Sequence, residues 1–374
     1  MSGIESVLIT GGAGFIGSHL ADVLLARGYH VRVLDSLSEQ VHGQSAEFPE
    51  YLDPAVETRI GDVRDRRAVE KALQGMDAVF HFASCVGVGQ SMYQIEKYVD
   101  VNNRGTAVLL EAIARRPVAK LLVASSMSIY GEGAYRDRAG ALQTPQPRSL
   151  EQLRAARWDL LDASGFELEP IATPEHKMPM PESVYALSKY DQEVMCLLFG
   201  RAYSIPVSAL RFFNAYGERQ ALSNPYTGVL AIFAARYLNN KPPVIFEDGR
   251  QMRDFLHVRD LAEGCALALE CDAARDQVFN LGSGEPYSIL EVAQRLAKVL
   301  GREHLAADIS GKYRSGDIRN CFADISKARG VLGYQPRVPL EEGLTQLAQW
   351  LEGRVDEDRS EAATAELRRH GLVA

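Results

Sequence analysis

Apolar residues in the first half of the chain fall in short dense runs, separated by stretches whose apolar positions recur every three to four residues. The runs SVLIT, HVRVLD, AVFHFA and KLLVAS read as strands, and GSHLADVLLARG and NRGTAVLLEAIARR between them read as helices. Strands joined through helices of this length imply right-handed crossovers, so the pattern predicts a doubly wound α/β fold, a parallel sheet covered on both faces. Gly28 closes the first helical pattern as a C-cap type residue before the next strand.

The alternation stops after Gly131. Residues 132–181 are rich in Pro, Arg and Glu and far exceed the usual two to six residues of a βα loop, which makes them an insertion with its own local structure. Within it, SLEQLRAARWDLLDAS predicts one helix, with Ser149 as N-cap and Gln152 three residues on. The helix YALSKYDQEVMCLLFGRAY and the strand VSALRFF follow. Smaller units punctuated by Pro and Gly then run as far as LTQLAQWLEGR, and the last twenty or so residues read as a solvated tail or helix.

The composition is that of a globular protein, 374 residues with 46% hydrophobic and 24% charged, enough to bury a sizeable core. A formal charge of -8 argues against nucleic acid or an anionic membrane as the main partner. The five cysteines, Cys85, Cys196, Cys265, Cys271 and Cys321, form no C-x-x-C pair and read as reduced thiols. No segment resembles a signal peptide and no run of about 18 apolar residues occurs, which together imply a soluble cytoplasmic protein.

The chemistry begins at LITGGAGFIGSHL. Gly12, Gly14 and Gly17 have G-x-G-x-x-G spacing, and Gly11, Gly14 and Gly17 have G-x-x-G-x-x-G spacing; a strand precedes them, a helix follows, and an acid ends the next strand. Glycines let the backbone approach a pyrophosphate whose charge meets the helix N-terminus. Asp35, at the end of the second strand, is placed to accept hydrogen bonds from a ribose diol and to repel a 2'-phosphate, which favours NAD over NADP. Asp62 in RIGDVRD is either an adenine contact or a simple turn residue. Tyr185 and Lys189 in YALSK stand at i and i+4 on one helix face; a phenol acting as a base near neutrality needs such a positive neighbour.

TGGAGFIG, Asp35, HFAS, NNRGT, SSMSIYG, YALSK, LRFFNAYG and RDFLHVRDLA together resemble the extended short-chain dehydrogenase/reductases of the nucleotide-sugar epimerase and dehydratase group, over about residues 5–350. The resemblance implies a Rossmann-type NAD-binding domain over 1–213, interrupted by the insertion and completed by 254–282. A smaller α/β substrate-binding lobe would comprise 214–253 and 283–350, with 351–374 as a C-terminal tail. It implies an enzyme in which Ser126 hydrogen-bonds the reacting sugar oxygen, Tyr185 is base and acid, and Lys189 tunes Tyr185 and binds the nicotinamide ribose. The cofactor is implied to contact Gly11, Gly14, Phe15, Ile16, Gly17, Asp35, Asp62, Val63, Ala83, Asn102, Tyr185 and Lys189, with Asn102 mainly supporting the active-site helix. Ser128, Asn214, Arg253, Arg314, Asp317 and Cys321 join Ser126 on the implied substrate side, where arginine suits a diphosphate; Cys321 as a plain core thiol is the alternative. SNPYTGVLAIF resembles a segment that meets the nucleotide base.

Dehydratases of the group resemble one another in carrying Asp and Glu at the positions of Met127 and Ser128, decarboxylases in a Glu at 128, and 3,5-epimerases in a Cys there. Met127 and Ser128 take no proton from carbon, which leaves hydride transfer at one carbon and hence 4-epimerisation through a 4-keto sugar. Val86 stands where UDP-galactose 4-epimerases carry a lysine. With EQVHG, SSMSIYGEG and ALSNPYTGV the chain resembles the dTDP-L-rhamnose 4-epimerase-like and UDP-hexose 4-epimerase-like members, so a dTDP-6-deoxyhexose is expected ahead of a UDP-hexose. A 4-ketoreductase or dehydrogenase, and a non-catalytic NAD-binding regulator, are the alternatives. The insertion has no cysteine, so no metal is expected, and a homodimer through the helices NNRGTAVLLEAIARR and YALSKYDQEVMCLLFGRAY is expected from the resemblance.

Overall fold

The computed structural model describes residues 3–45, 47–221, 228–314, 316–352 and 360–373. Seven parallel strands form the main sheet in the spatial order Gln277–Leu281, Val207–Phe212, Lys120–Ser126, Ala78–His81, Ser6–Thr10, His30–Asp35, Glu57–Ile60. The chain builds outward from Ser6–Thr10 to one edge, then returns to Ala78–His81 on the other side. The switch point therefore lies between these two strands, where the carboxyl ends open a crevice. The register sets Thr10 opposite His81 and Ser126 opposite Phe212.

Both faces are covered, as the near-continuous apolar strands require. Helices Phe15–Ala26 and Val258–Glu270 pack together on one face. Helices Arg66–Ala72, Gly105–Arg115 and Val184–Tyr203 cover the other, with Leu109, Ile113 and Cys196 fully buried beneath them. Asp65 caps the first of these three by accepting the N–H of Arg67 at 2.8 Å.

The segment 254–282 is shared between two sheets. Gln277–Leu281 is the edge strand of the main sheet, whereas Met252–His257 belongs to a smaller one with Asn214–Tyr216, Pro286–Ser288 and Asn320–Cys321. A separate apolar core gathers Phe233, Tyr237, Leu296 and Leu347.

Two local expectations are corrected. In the insertion, Ser149 caps a helix by accepting the N–H of Gln152 at 3.1 Å, but the helix covers only Leu150–Arg154. Ala156 turns left-handed at φ 52°, and this reversal buries Trp158 and sets Leu160 with Tyr135 and Leu168 in a small core of their own. Around it Ala134–Arg136, Leu142–Gln143 and Glu169–Ile171 form an antiparallel sheet. At the C-terminus, helix Ser360–Arg369 is docked instead of solvated: Ala363 and Leu367, one turn apart, are buried, Leu367 lies against Gly89, and His370 stacks on Tyr93 with ring centroids 4.6 Å apart. Among the described residues no helix is long and apolar enough to cross a membrane.

Candidate active site

The glycine loop stands at the switch point, between the end of Ser6–Thr10 and the start of helix Phe15–Ala26. Gly11 has φ +72°, and a Cβ there would lie 2.8 Å from the backbone nitrogen of Ala83; one on Gly17 would lie 2.6 Å from the carbonyl oxygen of Gly11. Both glycines are thus required by close backbone approach, the first across the switch point, the second between helix and loop. Gly14 is the N-cap and has no side chain to fill the helix end, so the N–H groups of Phe15, Ile16 and Gly17, which have no intrahelical acceptor, face the crevice as an anion cradle.

Asp35 closes the next strand, its two carboxylate oxygens accepting the N–H groups of Ala13 at 3.1 Å and Leu37 at 2.9 Å. A carboxylate remains at the loop's edge with lone pairs to spare, which matches a ribose diol. Helix cradle, close-packed glycines and carboxylate together fit NAD. Asp62 accepts the N–H of Arg64 at 2.8 Å, and Arg64 also grips both its oxygens and holds its carboxyl below the usual range. Val63 is buried under Gly105, and Ala83 donates its N–H to Thr10 Oγ1 at 3.3 Å. Gly17→Val should force helix and loop apart, so the purified variant is expected to carry under roughly a tenth of the wild-type NAD, read from the nucleotide released on denaturation.

Ser126 ends the central strand and starts the tight turn Met127–Tyr130. Its Oγ accepts the N–H of Ser128 at 3.2 Å and lies 2.8 Å from Ser128 Oγ. Tyr185, in the first turn of helix Val184–Tyr203, brings its phenol within the influence of Ser126, which acts to lower its pKa. Its backbone N–H is held by Ser91 Oγ at 2.9 Å, and Ser183 caps the helix through the N–H of Ala186 at 3.1 Å. Burial raises the Tyr185 phenol above its ordinary pKa, and Ser126 opposes this in part. One turn on, the Lys189 ammonium is buried and lowered to about 7 by desolvation, against the pull of Cys196 and Glu193. Lys189 Nζ donates to Gln192 Oε1 at 2.7 Å.

Asn102 lies in a π-helical turn, Val99–Arg104, leading into helix Gly105–Arg115. Its amide nitrogen donates to Ser188 Oγ at 2.8 Å and its oxygen accepts the N–H of Cys85 at 2.7 Å, so it ties the Tyr185 helix to the loop after the fourth strand. Such a wide turn re-aims one side chain without ending the helix.

The arginines beyond the main sheet take different partners. Arg253 is turned onto the backbone carbonyls of Met252, Ile318 and Arg319, and so joins two strands of the small sheet. Arg314 pairs with Asp317 at 3.0 Å and lies over the Phe246 ring. Asn214 Oδ1 is buried with no hydrogen-bond partner among the described residues. Cys321 is 1% exposed, 3.9 Å from Thr173 Oγ1, and burial pushes its thiol up to about 12. The Gly133 N–H donates to the Asn320 carbonyl at 2.7 Å, which brings the Cys321 strand alongside the segment following Ser126. Residues 223–227, the start of the expected base-contacting segment, lie outside the described residues.

Sequence reasoning overlooked Thr10, His81, Ser91, Thr106 and Gln192. The helical spacing Tyr185, Lys189, Gln192, which is i, i+4, i+7, would have flagged Gln192. It also overlooked Lys177, whose ammonium donates to the carbonyl of Tyr130 beside the Ser126 turn.

Residues 7–151 match the NAD dependent epimerase/dehydratase family, and residues 167–347 match GDP-mannose 4,6 dehydratase. A dTDP-L-rhamnose 4-epimerase of Burkholderia thailandensis is 33% identical over 94% of this chain and 96% of its own. A putative UDP-glucose 4-epimerase of Methanocaldococcus jannaschii is 31% identical over 92% of this chain and 98% of its own. Among solved structures, the UDP-glucose 4-epimerase of Thermus thermophilus in complex with NAD superposes with a TM-score of 0.73 at 30% identity, covering 94% of this chain and all of that one. With its glycine cradle, Asp35 and the Ser126, Tyr185 and Lys189 set in place, the chain belongs to the NAD-dependent epimerase/dehydratase family.

Proposed function

We propose that this protein is an NAD-dependent nucleotide-sugar 4-epimerase acting on a dTDP-6-deoxyhexose of the dTDP-L-rhamnose type, with a UDP-hexose as the second choice of substrate. The observation that carries the reaction type is the turn after Ser126. Met127 offers a buried thioether and Ser128 a hydroxyl bonded to Ser126, and neither takes a proton from a carbon. The name of the Burkholderia thailandensis relative supports the dTDP sugar.

NAD, when bound, supplies a reversible hydride acceptor at C4. Tyr185 Oη takes the proton of the C4 hydroxyl and returns it to whichever epimer forms, while Ser126 Oγ holds the same sugar oxygen by a hydrogen bond. Lys189, one turn on, would supply the positive charge a phenolate needs, against the burial that raises the Tyr185 pKa. Arg314 and the amide nitrogen of Asn214, which can donate, contact the diphosphate end of the substrate. Arg253 acts one step back by holding the strand that carries Cys321. Given a panel of purified nucleotide sugars and no added NAD, the protein should interconvert the C4 epimers of the dTDP-6-deoxyhexose faster than those of UDP-glucose. Stoichiometric consumption of added NAD or NADH would instead support the ketoreductase or dehydrogenase reading.

The same reading includes a homodimer. Leu187 and Leu198 stand three turns apart on one stripe of the Tyr185 helix and are 48% and 54% exposed; Ile95 and Val99 are exposed nearby in sequence to Asn102. An apolar stripe of this kind suits burial against a second copy. Leu198→Glu is expected to shift the protein to monomer in sedimentation velocity while leaving bound NAD in place. The five unpaired cysteines fit a reducing compartment such as the cytoplasm.

A further inference from the structure

A closed chain of hydrogen bonds lies behind the catalytic face, built, apart from Lys189, from side chains to which the family resemblance gives no role. Lys189 Nζ donates to Gln192 Oε1 at 2.7 Å; Gln192 Nε2 donates to Thr106 Oγ1 at 2.8 Å; His81 Nε2 lies 2.9 Å from Thr106 Oγ1 and His81 Nδ1 lies 2.8 Å from Thr10 Oγ1. Thr10, His81, Thr106 and Gln192 are all fully buried and Lys189 is 3% exposed.

One set of directions satisfies these four bonds, and it leaves the 3.3 Å approach of Gln192 Nε2 to His81 Nε2 as two donors converging on Thr106 Oγ1. Thr106 Oγ1 gives its proton to the carbonyl of Asn102 at 2.6 Å, so it can only accept from His81 and Gln192. His81 therefore carries its proton on Nε2, and its Nδ1 accepts from the Thr10 hydroxyl, which in turn accepts the N–H of Ala83. Gln192 must aim its NH2 at Thr106, which leaves its carbonyl oxygen for Lys189. A flipped amide would set NH2 against the ammonium, donor against donor. Protonated His81 would meet the Thr10 proton with a second proton and stand beside the Lys189 charge; burial and that charge lower it to about 3, so the ring stays neutral across the physiological range.

We propose that Gln192 is a positioning residue for the reaction: its amide, oriented by Thr106 and the His81 tautomer, holds the Lys189 ammonium in register with both Tyr185 and the cofactor loop. Thr10 is the residue immediately before Gly11, and Ala83 is the residue that Gly11 must pass closely. Through this chain the charge beside the phenol is fixed to the elements that cradle the cofactor, which is what hydride transfer at one carbon requires of a site whose two partners sit on different layers. The inference rests on the proposed function for the meaning of Lys189 and on geometry alone for its hydrogen bonds. The other charged or titratable groups around the ammonium are Glu193 and Cys196 on its own helix, Tyr185 at its start, His81 from the fourth strand, and Arg211, paired with Glu193, from Val207–Phe212.

The test reads Lys189 directly. In full-length protein carrying 13Cε-labelled lysine, the Lys189 resonance is identified by its loss in Lys189→Arg and titrated without substrate. Gln192→Met keeps the length and removes the carbonyl; Thr106→Val keeps the shape and removes the hydroxyl that orients the amide; Thr106→Ser keeps both functions. The Lys189 midpoint should fall by about one to two pH units in Gln192→Met, the size of one lost hydrogen bond to a charged group. It should fall in the same direction in Thr106→Val and stay at the wild-type value in Thr106→Ser. With substrate, the rise of kcat with pH should move to higher pH in the same two variants, with KM little changed. An unshifted Lys189 midpoint in Gln192→Met or Thr106→Val that retains its NAD and circular dichroism overturns the proposal, whatever sugar the enzyme uses. A shifted midpoint in a protein that epimerises no nucleotide sugar sustains it and counts against the proposed activity instead.

Discussion

Tyr185→Phe is expected to lower kcat by about 10²- to 10⁴-fold, the range for losing a positioned general acid and base. The phenol interacts with Ser126 and can both take and return a hydroxyl proton. Without it, Ser126 can hold the sugar oxygen but has no proton acceptor behind it except Ser128. The loss should fall on kcat more than on KM, because the proton moves only on the way to the transition state. The fold should survive: the Tyr185 backbone N–H stays bonded to Ser91 and the Phe ring keeps its edge contact with Tyr98, whose ring centroid is 6.4 Å away. Bound NAD and circular dichroism therefore serve as controls. Turnover within about threefold of wild type would remove Tyr185 from its assigned role.

The largest expected effect on stability comes from Glu193→Ala. Glu193, on the Tyr185 helix, receives two hydrogen bonds from Arg211 of the neighbouring strand, at 3.0 and 2.6 Å, and the two side chains are only 3% and 5% exposed. Arg211 also donates to the Tyr130 hydroxyl at 2.7 Å and the Glu175 carbonyl at 2.8 Å, and Tyr130 donates to Asn280 on the edge strand at 2.7 Å. The pair thus joins the catalytic helix, the Ser126 turn, the insertion and two strands. Removing the carboxylate alone strands a guanidinium in the interior and is expected to cost about 3–5 kcal/mol, measured as a lower midpoint in urea. Replacing both partners with Met should recover part of that loss, since the unpaired charge goes with it. A Glu193→Ala midpoint equal to wild type would show that water reaches Arg211 in the native state.

What was legible in the sequence was local. The glycine loop, Asp35 and the Tyr185 and Lys189 pair each lie within one strand-loop-helix unit, where spacing alone dictates which backbone groups meet. The parallel sheet followed from short apolar runs alternating with helical periods, because covered strands need no polar face. The parts that were not legible depend on partners far along the chain. Helix Leu150–Arg154 ends early because Trp158 and Leu160 gain burial by turning back, a tertiary effect that outweighs the helical propensity of the following residues. Arg253 reads as a phosphate ligand by type; what the sequence does not show is that its position on Met252–His257 also hands it the carbonyls of residues 318 and 319. Asp62 reads as a cofactor contact or a turn, and the hydrogen bonds it takes from Arg64 two residues on are those of a turn. His81 and Thr106 look like ordinary interior residues until the strand register sets His81 opposite Thr10. The C-terminal helix has a polar composition, but its two buried apolar residues are spaced to meet Gly89 and its neighbours.

In the proposed reaction this site oxidises and re-reduces a single carbon, and Met127 and Ser128 offer no acid or base to work on its neighbours. The most direct measurement is epimerisation of the dTDP-6-deoxyhexose in deuterated water, with the product examined by mass spectrometry and NMR. The account predicts inverted C4 with no deuterium on any ring carbon and no NADH released. Deuterium at C3 or C5, or NADH in proportion to product, would contradict it.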